Sequence, residues 1–439
     1  MLRLFGKRLL QRFVALATFV AALSVAFDAA GCTSSIVGIQ RGEGGRWLLW
    51  KHRDTSHHFN YVKRVEPADS AAMSYVALFN SDDADAREAW IGFNEAGLAV
   101  MNTASYNIEA PEKGWSDREG MVMSAALARC SNLRDFYRLL TDADWCRANG
   151  LESLRNDRGA LGVQANFGAV DAAGHAAYFE TTDFTTEVYP LDSVSAKCLG
   201  VEMQRSGEDV EGVLTRTNYC LSGGCEQQLG MSRHRAEKHL LDSLLCTPRP
   251  WAEEGKLAAE DFTEVLSRSF YMPAVSSDLL DGTVHYAPDN GDVIPRYSSS
   301  ASVVIEGPEP DTASGVYSNK DIAEPTDSAS APGRRMTMWV LMGFPPLAEV
   351  RAVKLDSVPA DLLPTGENNH CTAGDAVQRL RGKAFINRKQ SSGKQQRCFN
   401  LPYLRKTVPA ARRRSLNRYR AFSSPTNPRF HAIISCLFN

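Results

Sequence analysis

Between residues 32 and 108, apolar and polar positions alternate in short runs, the two-residue period of strands with one face buried. Stretches 33–38, 47–54, 75–79, 90–93 and 97–101 read as strands, with Gly, Asn and Asp between them supplying turn chemistry. Asn94 and Glu95, ahead of Gly97, read as turn formers of a hairpin. The apolar period then lengthens to three-to-four, which predicts helices over 121–130 and 133–140, with Ser131 placed to cap the second. Strand character returns over 165–170, 176–180 and 212–218, helical spacing over 232–245 and 258–270, and strands over 302–305 and 338–342. Residues 306–335, rich in Pro, Ser, Asp and Gly, read as a long exposed loop. Strands, helices, strands and helices in that order predict a layered α+β domain with no internal repeat.

Composition supports a sizeable core: of 439 residues, 44% are hydrophobic and 9% aromatic, which excludes a disordered chain. The net charge of −2 conceals two opposite parts. Residues 379–439 hold 15 Lys or Arg and no Asp or Glu, leaving 34 basic against 51 acidic residues before them. The basic end is open to three readings: docking on the acidic body, contact with an acidic partner or membrane, or an altered reading frame.

The N-terminal residues bear on the chemistry of Cys32. Arg3, Lys7, Arg8 and Arg12 precede an uncharged apolar run over 13–27, shorter than the roughly twenty residues of a membrane span. Ala29 and Gly31 stand three and one residues before Cys32, the small-x-small pattern of signal-peptide cleavage, so residues 1–31 are expected to be an export signal. Cleavage there leaves Cys32 with a thiol and a free α-amine on one residue. The competing reading is a partial lipobox, Ala29-Ala30-Gly31-Cys32, in which lipid alkylates the thiol and anchors the protein at a surface.

The other nine cysteines include no CxxC pair; Cys220 and Cys225 form a weak metal signal, and an odd number cannot all pair within one chain. His52, His57 and His58 do not converge on one ion from a strand. His52 as the base for a catalytic thiol is left open, but the α-amine of Cys32, with an ordinary pKa near ~7.7–8, is a nearer base. Such a site needs a group to hold the amine and donors for an oxyanion. Asp54, at a strand end, and Asn218, after a β-branched run, offer these. Taken singly, Asp54 reads sooner as a surface ion-pair residue and Asn218 as a turn residue than either does as a catalytic group.

In company, the motifs are recognisable. Cys32-Thr-Ser, Trp50-Lys-His-Arg-Asp54, Trp90-x-Gly-x-Asn94-Glu-x-Gly97-Leu, Leu214-Thr-Arg-Thr-Asn218, Ile294-Pro-Arg296, Ser302-Val-Val-Ile305 and Met338-Trp339 with Gly343-x-Pro345 resemble the acyl-coenzyme A:6-aminopenicillanic acid acyltransferase and carcinine hydrolase family of N-terminal-nucleophile hydrolases, related to choloylglycine hydrolases. The resemblance implies a four-layer αββα sandwich with Cys32 as nucleophile, Asp54 holding its amine and Asn218 donating to the oxyanion. Lys51 falls where choloylglycine hydrolases carry an active-site arginine, and Arg53, two residues on, is the alternative. Arg233 or Arg235 matches their late arginine. An oxyanion amide is expected within 102–105, a stretch opened by Asn102.

The resulting expectation is an export signal over 1–31, a hydrolase domain over 32–364, and a basic extension over 365–439, partly helical or disordered. Residues 371–385 are read as one helix of it. The activity expected is that of an exported amidohydrolase cleaving linear C–N bonds through a Cys32 thioester. An acyltransferase of the same family, a dipeptidase of the same superfamily and a non-catalytic surface lipoprotein are the alternatives. The implied partner is a small-molecule amide; no cofactor, metal or nucleic acid is expected, and membrane contact only through a lipid on Cys32 or the basic tail.

Overall fold

The computed structural model describes residues 31–204, 209–224, 229–308 and 331–422. Residues 1–30, on which most of the expected export signal falls, most of the expected 306–335 loop and residues 423–439 lie outside the described residues.

The chain begins with β1 (Thr33–Val37), β2 (Leu48–Asp54), β3 (Asn60–Val65), β4 (Tyr75–Asn80), β5 (Ile91–Asn94) and β6 (Ala99–Ala104). Helices α1 (Glu119–Arg129), α2 (Leu133–Thr141) and α3 (Ala143–Ala148) lead to β7 (Ala165–Val170), β8 (Ala176–Thr181) and β9 (Thr186–Pro190). Next come α4 (Ser193–Leu199), β10 (Val213–Arg216), α5 (Met231–Leu245) and three short strands, β11 (Tyr271–Met272), β12 (Ser277–Asp278) and β13 (Tyr286–Pro288). The described chain ends with β14 (Ser299–Glu306), β15 (Thr337–Met342), β16 (Val350–Val353), α6 (Thr372–Ala384), β17 (Phe385–Lys389), β18 (Gln395–Asn400) and α7 (Leu401–Phe422).

Two antiparallel sheets dominate. One has the order β10-β1-β2-β14-β15-β16, the other runs β3 to β9 in sequence order. Strand alternation assigns each face. On β8, Phe179 meets Phe136 of α2 edge-on at 5.3 Å, while its neighbour Tyr178 turns to the opposite sheet, where its hydroxyl lies 2.9 Å from Ser34 Oγ. On the first sheet Ile36, Leu49, Val303 and Val340 pack between the sheets. Val37, Leu48, Trp50, Val304 and Leu341 face outward, against α5 and α7. The α+β, four-layer αββα architecture expected from the sequence is therefore the one observed, with helices outside both sheets.

Some expected elements differ. Asn132, not Ser131, caps α2, accepting from Asp135 N, because Asn132 is the residue with extended backbone at the helix start. The helix expected over 258–270 is a π turn, Asp261–Val265, followed by a 3-10 turn, Leu266–Arg268. The side chains of Ser267 and Arg268 take the carbonyls of Phe262 (2.6 Å) and Thr263 (3.1 Å), which compete with a regular helical ladder. The loop expected over 306–335 is shorter at both ends: Glu306 is buried in β14, and Pro332–Arg335 forms a helical turn whose Gly333 N–H donates to Glu95 O.

The boundary expected at 364 does not end the packing. Helix α7 buries Leu401, Leu404, Val408, Ala411, Ser415 and Tyr419 at three-to-four spacing, with Leu416 beside them, and Tyr419 lies 4.3 Å from the Trp339 ring of β15. Some of its basic residues are anchored: Arg405 donates to the carbonyls of Leu279, Leu280 and Val284, and Arg418 pairs with Glu349 at 3.0 Å.

Candidate active site

The site forms where β1 begins, and the period of two decides what each residue faces. Ser34 reaches Tyr178 between the sheets, whereas Ser35 donates to Glu237 of α5 on the outer side at 2.5 Å. Cys32, two residues before Ser34, shares its inward face. It is 7% exposed and lines a cleft of about 530 Å³ with Lys51, Arg53, Trp90, Asn102 and Ala104. Asp82, Asp83, Glu88 and Asp117 also line this cleft.

Lys51 and Arg53 are two apart on β2 and reach the same cleft. Lys51 Nζ donates to Asn102 Oδ1 (2.7 Å) and Trp90 O (2.8 Å). Burial lowers Lys51 from the ordinary lysine range to about 7; Cys32 pulls in the opposite direction and Arg53 adds to the lowering. Arg53 is held by Asn60 Oδ1 (2.7 Å) and Asn80 Oδ1 (2.8 Å), lies over the Trp90 ring, and is lowered to about 10, mainly by burial.

His52 and Asp54 lie in the alternate register. Thr33 pairs with His52 across the β1–β2 ladder, so the imidazole leaves the sheet on the side away from the thiol. His52 Nε2 lies 2.9 Å from Ser299 Oγ, and burial lowers the ring to about 4. The open reading of His52 as the thiol's base is excluded by this geometry. His57 pairs with Asp82 at 2.9 Å and His58 packs on Tyr297, so the three histidines diverge.

Asp54 is fully buried, accepting from Ser299 Oγ (2.6 Å) and Arg296 Nε (2.7 Å). The same guanidinium donates through Nη2 to Gly31 O at 2.8 Å, which ties Asp54 to the peptide group preceding Cys32. Arg233 of α5 approaches from the other side. Its Nη1 donates to Cys32 O (2.6 Å), Thr33 Oγ1 (2.9 Å) and, more distantly, Gly31 O (3.4 Å), while Nη2 donates to Asn218 Oδ1 (2.6 Å). Because a guanidinium only donates, Asn218 must present its oxygen there and turn its Nδ2 toward Ala104 O, 2.8 Å away. Gly31 has little room: an added Cβ would lie 1.9 Å from Arg296 Nη2 and 2.9 Å from Asn218 Oδ1.

The structure thus brings Cys32, Lys51, Arg53 and Asn102 together on one side of the sheet. Asp54, Asn218 and Arg233 gather about the Gly31–Cys32 peptide. Arg235 is exposed on α5 and belongs to neither group, since two residues turn a helical side chain to the far face. Arg296 was not among the expected site residues; its signal was the Ile294-Pro-Arg296 block ahead of β14. Within 102–105, Ser105 N–H is spent on Gln164 O. Alternation along the β6–β7 ladder then turns the Ala104 N–H to the other edge, past the last β5–β6 pair at Met101.

No protein-family model matches the chain, and no curated protein matches its sequence. Among solved structures, a variant of the conjugated bile acid hydrolase from Clostridium perfringens aligns over 75% of this chain and 95% of its own, at 10% identity and a TM-score of 0.36. The Caenorhabditis elegans ortholog of N-acylethanolamine-hydrolyzing acid amidase aligns over 70% and 98%, at 14% identity and a TM-score of 0.31. Penicillin V acylase from Agrobacterium tumefaciens aligns over 74% and 87%, at 12% identity and a TM-score of 0.34. At identities and TM-scores this low, the likenesses carry no residue-by-residue correspondence.

Proposed function

We propose that this chain is an amidohydrolase whose nucleophile is Cys32 once the Gly31–Cys32 bond has been cut. One observation supports the reading above others: two guanidiniums, anchored on Asp54 and Asn218, converge on the carbonyl of the residue before Cys32. Cutting that bond frees the amine of Cys32 beside a thiol that already lines a cleft.

In the proposed reaction the neutral amine accepts the thiol proton, and the sulfur attacks the carbonyl of a linear acyl amide or short peptide. Negative charge develops on the carbonyl oxygen. Asn218 Nδ2 and the Ala104 N–H are the donors proposed to meet it. The C–N bond breaks as the ammonium gives its proton to the departing amine, and water then hydrolyses the thioester. The Cys32 charge draws Lys51 of the same cleft toward its protonated form, against the lowering by burial, so the thiolate would recruit a positive charge there.

Export is part of the proposal and rests on the basic and apolar pattern of the leader; among the described residues no helix is long and apolar enough to cross a membrane. The lipoprotein alternative fits less well, since Cys32 is buried and a lipid on its sulfur would have to fill the cleft. The test combines the mass of the mature N-terminus with a panel of acyl amides and dipeptides. A free Cys32 terminus is expected, with hydrolysis lost in Cys32→Ser and in a variant retaining one extra residue before Cys32. The reading fails if both variants hydrolyse amides as well as the wild type.

A further inference from the structure

A second thiol lies outside this cleft. Asp171, at the end of β7, His175, at the start of the β8 hairpin, and Cys198 of α4 bring a carboxylate oxygen, a ring nitrogen and a sulfur within 4.8 Å of one another. They line an open cavity of about 530 Å³ with Arg134 and Lys197. Asp171 follows the far end of β7 from Ala165, the partner of Ala104, so ~20 Å of extended chain separates the two sites.

The cluster could be read as a metal site, but its carboxylate is already committed. Asp171 Oδ1 accepts from Ala173 N and His175 N, both at 3.0 Å, and Oδ2 accepts from Leu133 N (3.3 Å) and lies 3.0 Å from His175 Nδ1. Only a thiolate and an imidazole remain as ligands, in a cavity that two cations already line. The same features suit an orienting carboxylate, a basic ring and a thiol. His175 is raised to about 10, first by its bond to Asp171 and next by Cys198, which favours a charged ring. The charged groups around the sulfur are Asp171 and His175 from the β7–β8 turn, Arg134 from α2 and Lys197 from α4.

We propose that Cys198 is a reactive thiol that exchanges with small, carboxylate-bearing disulfides and so carries a reversible mixed disulfide. The Cys198 thiolate attacks one sulfur of the disulfide, forming a new S–S bond as the old one breaks. The departing thiolate takes a proton from the His175 imidazolium. Cys198 is oxidised to the disulfide level and the released half is reduced to a thiol; an added thiol reverses the step. Arg134 and Lys197 supply the preference for an anionic reagent.

The test uses the full chain. With iodoacetamide at pH 6, peptide mass mapping should show Cys198 alkylated ~10-fold faster than the exposed Cys246, with the advantage lost in His175→Gln. Glutathione disulfide should add to Cys198 faster than the neutral hydroxyethyl disulfide, and Lys197→Gln should narrow that gap. Cys198 reacting no faster than Cys246, or at the same rate in His175→Gln, would overturn the proposal. Equal rates with the two disulfides would overturn its anionic preference, and protection of Cys198 by equimolar zinc would replace it with a metal site.

Discussion

Arg296 Nε lies 2.7 Å from Asp54 Oδ2, a contact across 242 residues that leaves the carboxylate no exposure to water. A buried charge of this kind depends on its partner. Arg296→Ala should therefore cost about 3–5 kcal/mol, read from urea unfolding. Arg296→Lys should restore much of that stability, yet a point-like ammonium cannot bridge Asp54 and Gly31 O together, so cleavage before Cys32 should slow and less of the protein should reach the active form. A mature N-terminus formed in Arg296→Lys at the wild-type rate would show that the bridge has no part in maturation.

Lys51 makes stability depend on pH in a defined direction. In the unfolded chain its amine titrates near ~10.4, whereas burial holds the folded group to about 7. Between those values the unfolded chain binds the extra proton, so this group makes stability rise with pH, and below 7 its penalty is constant. Lys51→Met should flatten the slope between pH 7 and 9 by roughly 1 kcal/mol per pH unit, measured as unfolding free energies of both proteins. Parallel slopes would place the Lys51 titration elsewhere.

Arg233 and Arg235 are two residues apart and should behave oppositely. Arg235→Ala, on the exposed face of α5, is expected to change stability by less than ~0.5 kcal/mol and leave turnover unchanged. Arg233→Ala removes the donors to Cys32 O, Thr33 Oγ1 and Asn218 Oδ1, and turnover should fall ~100-fold as Asn218 loses its orientation. Steady-state rates of the two variants decide the point.

Ending the chain after Asn400 should abolish cooperative folding. The deletion removes Leu401, Leu404, Val408 and Tyr419, all buried in the outer layer, at about 1.5–3 kcal/mol for each side chain. Their sum approaches the ~5–15 kcal/mol of a whole domain. A truncated protein that melts like the full chain would show the helix to be dispensable.

Much of this was legible from short-range pattern. The strand over Ala165–Val170 and the turn that begins at Asn94, the last residue of β5, needed only neighbours: Asn94 Oδ1 accepts from Leu98 N across the hairpin, while its Nδ2 also reaches Leu127 O of α1 and Cys130 O just past that helix. Cys32, Lys51 and Arg53 shared one period-two reading frame, which also set the face of His52. What escaped was set by distant partners. Arg296 acquires its meaning from Asp54 and Gly31, and residues 258–270 keep a helical pattern although Ser267 and Arg268 divert the backbone carbonyls. The basic run in α7 obscured an apolar stripe that only Trp339 and the outer sheet face explain.

The strand order of the first sheet has a kinetic consequence. β1 lies between β10 and β2, and β2 pairs with β14, so neighbours in the ladder are residues such as Ser34 and Arg216, or Trp50 and Val304. Such non-local pairing makes folding slow and late, because long loops must close before contacts repay them. Cys32 and Asp54 emerge early in synthesis, but Asn218 and then Arg296 join them only after much more of the chain exists. A nascent chain therefore carries an ordinary cysteine, and the order of translation itself withholds the assembled site until the body is nearly complete.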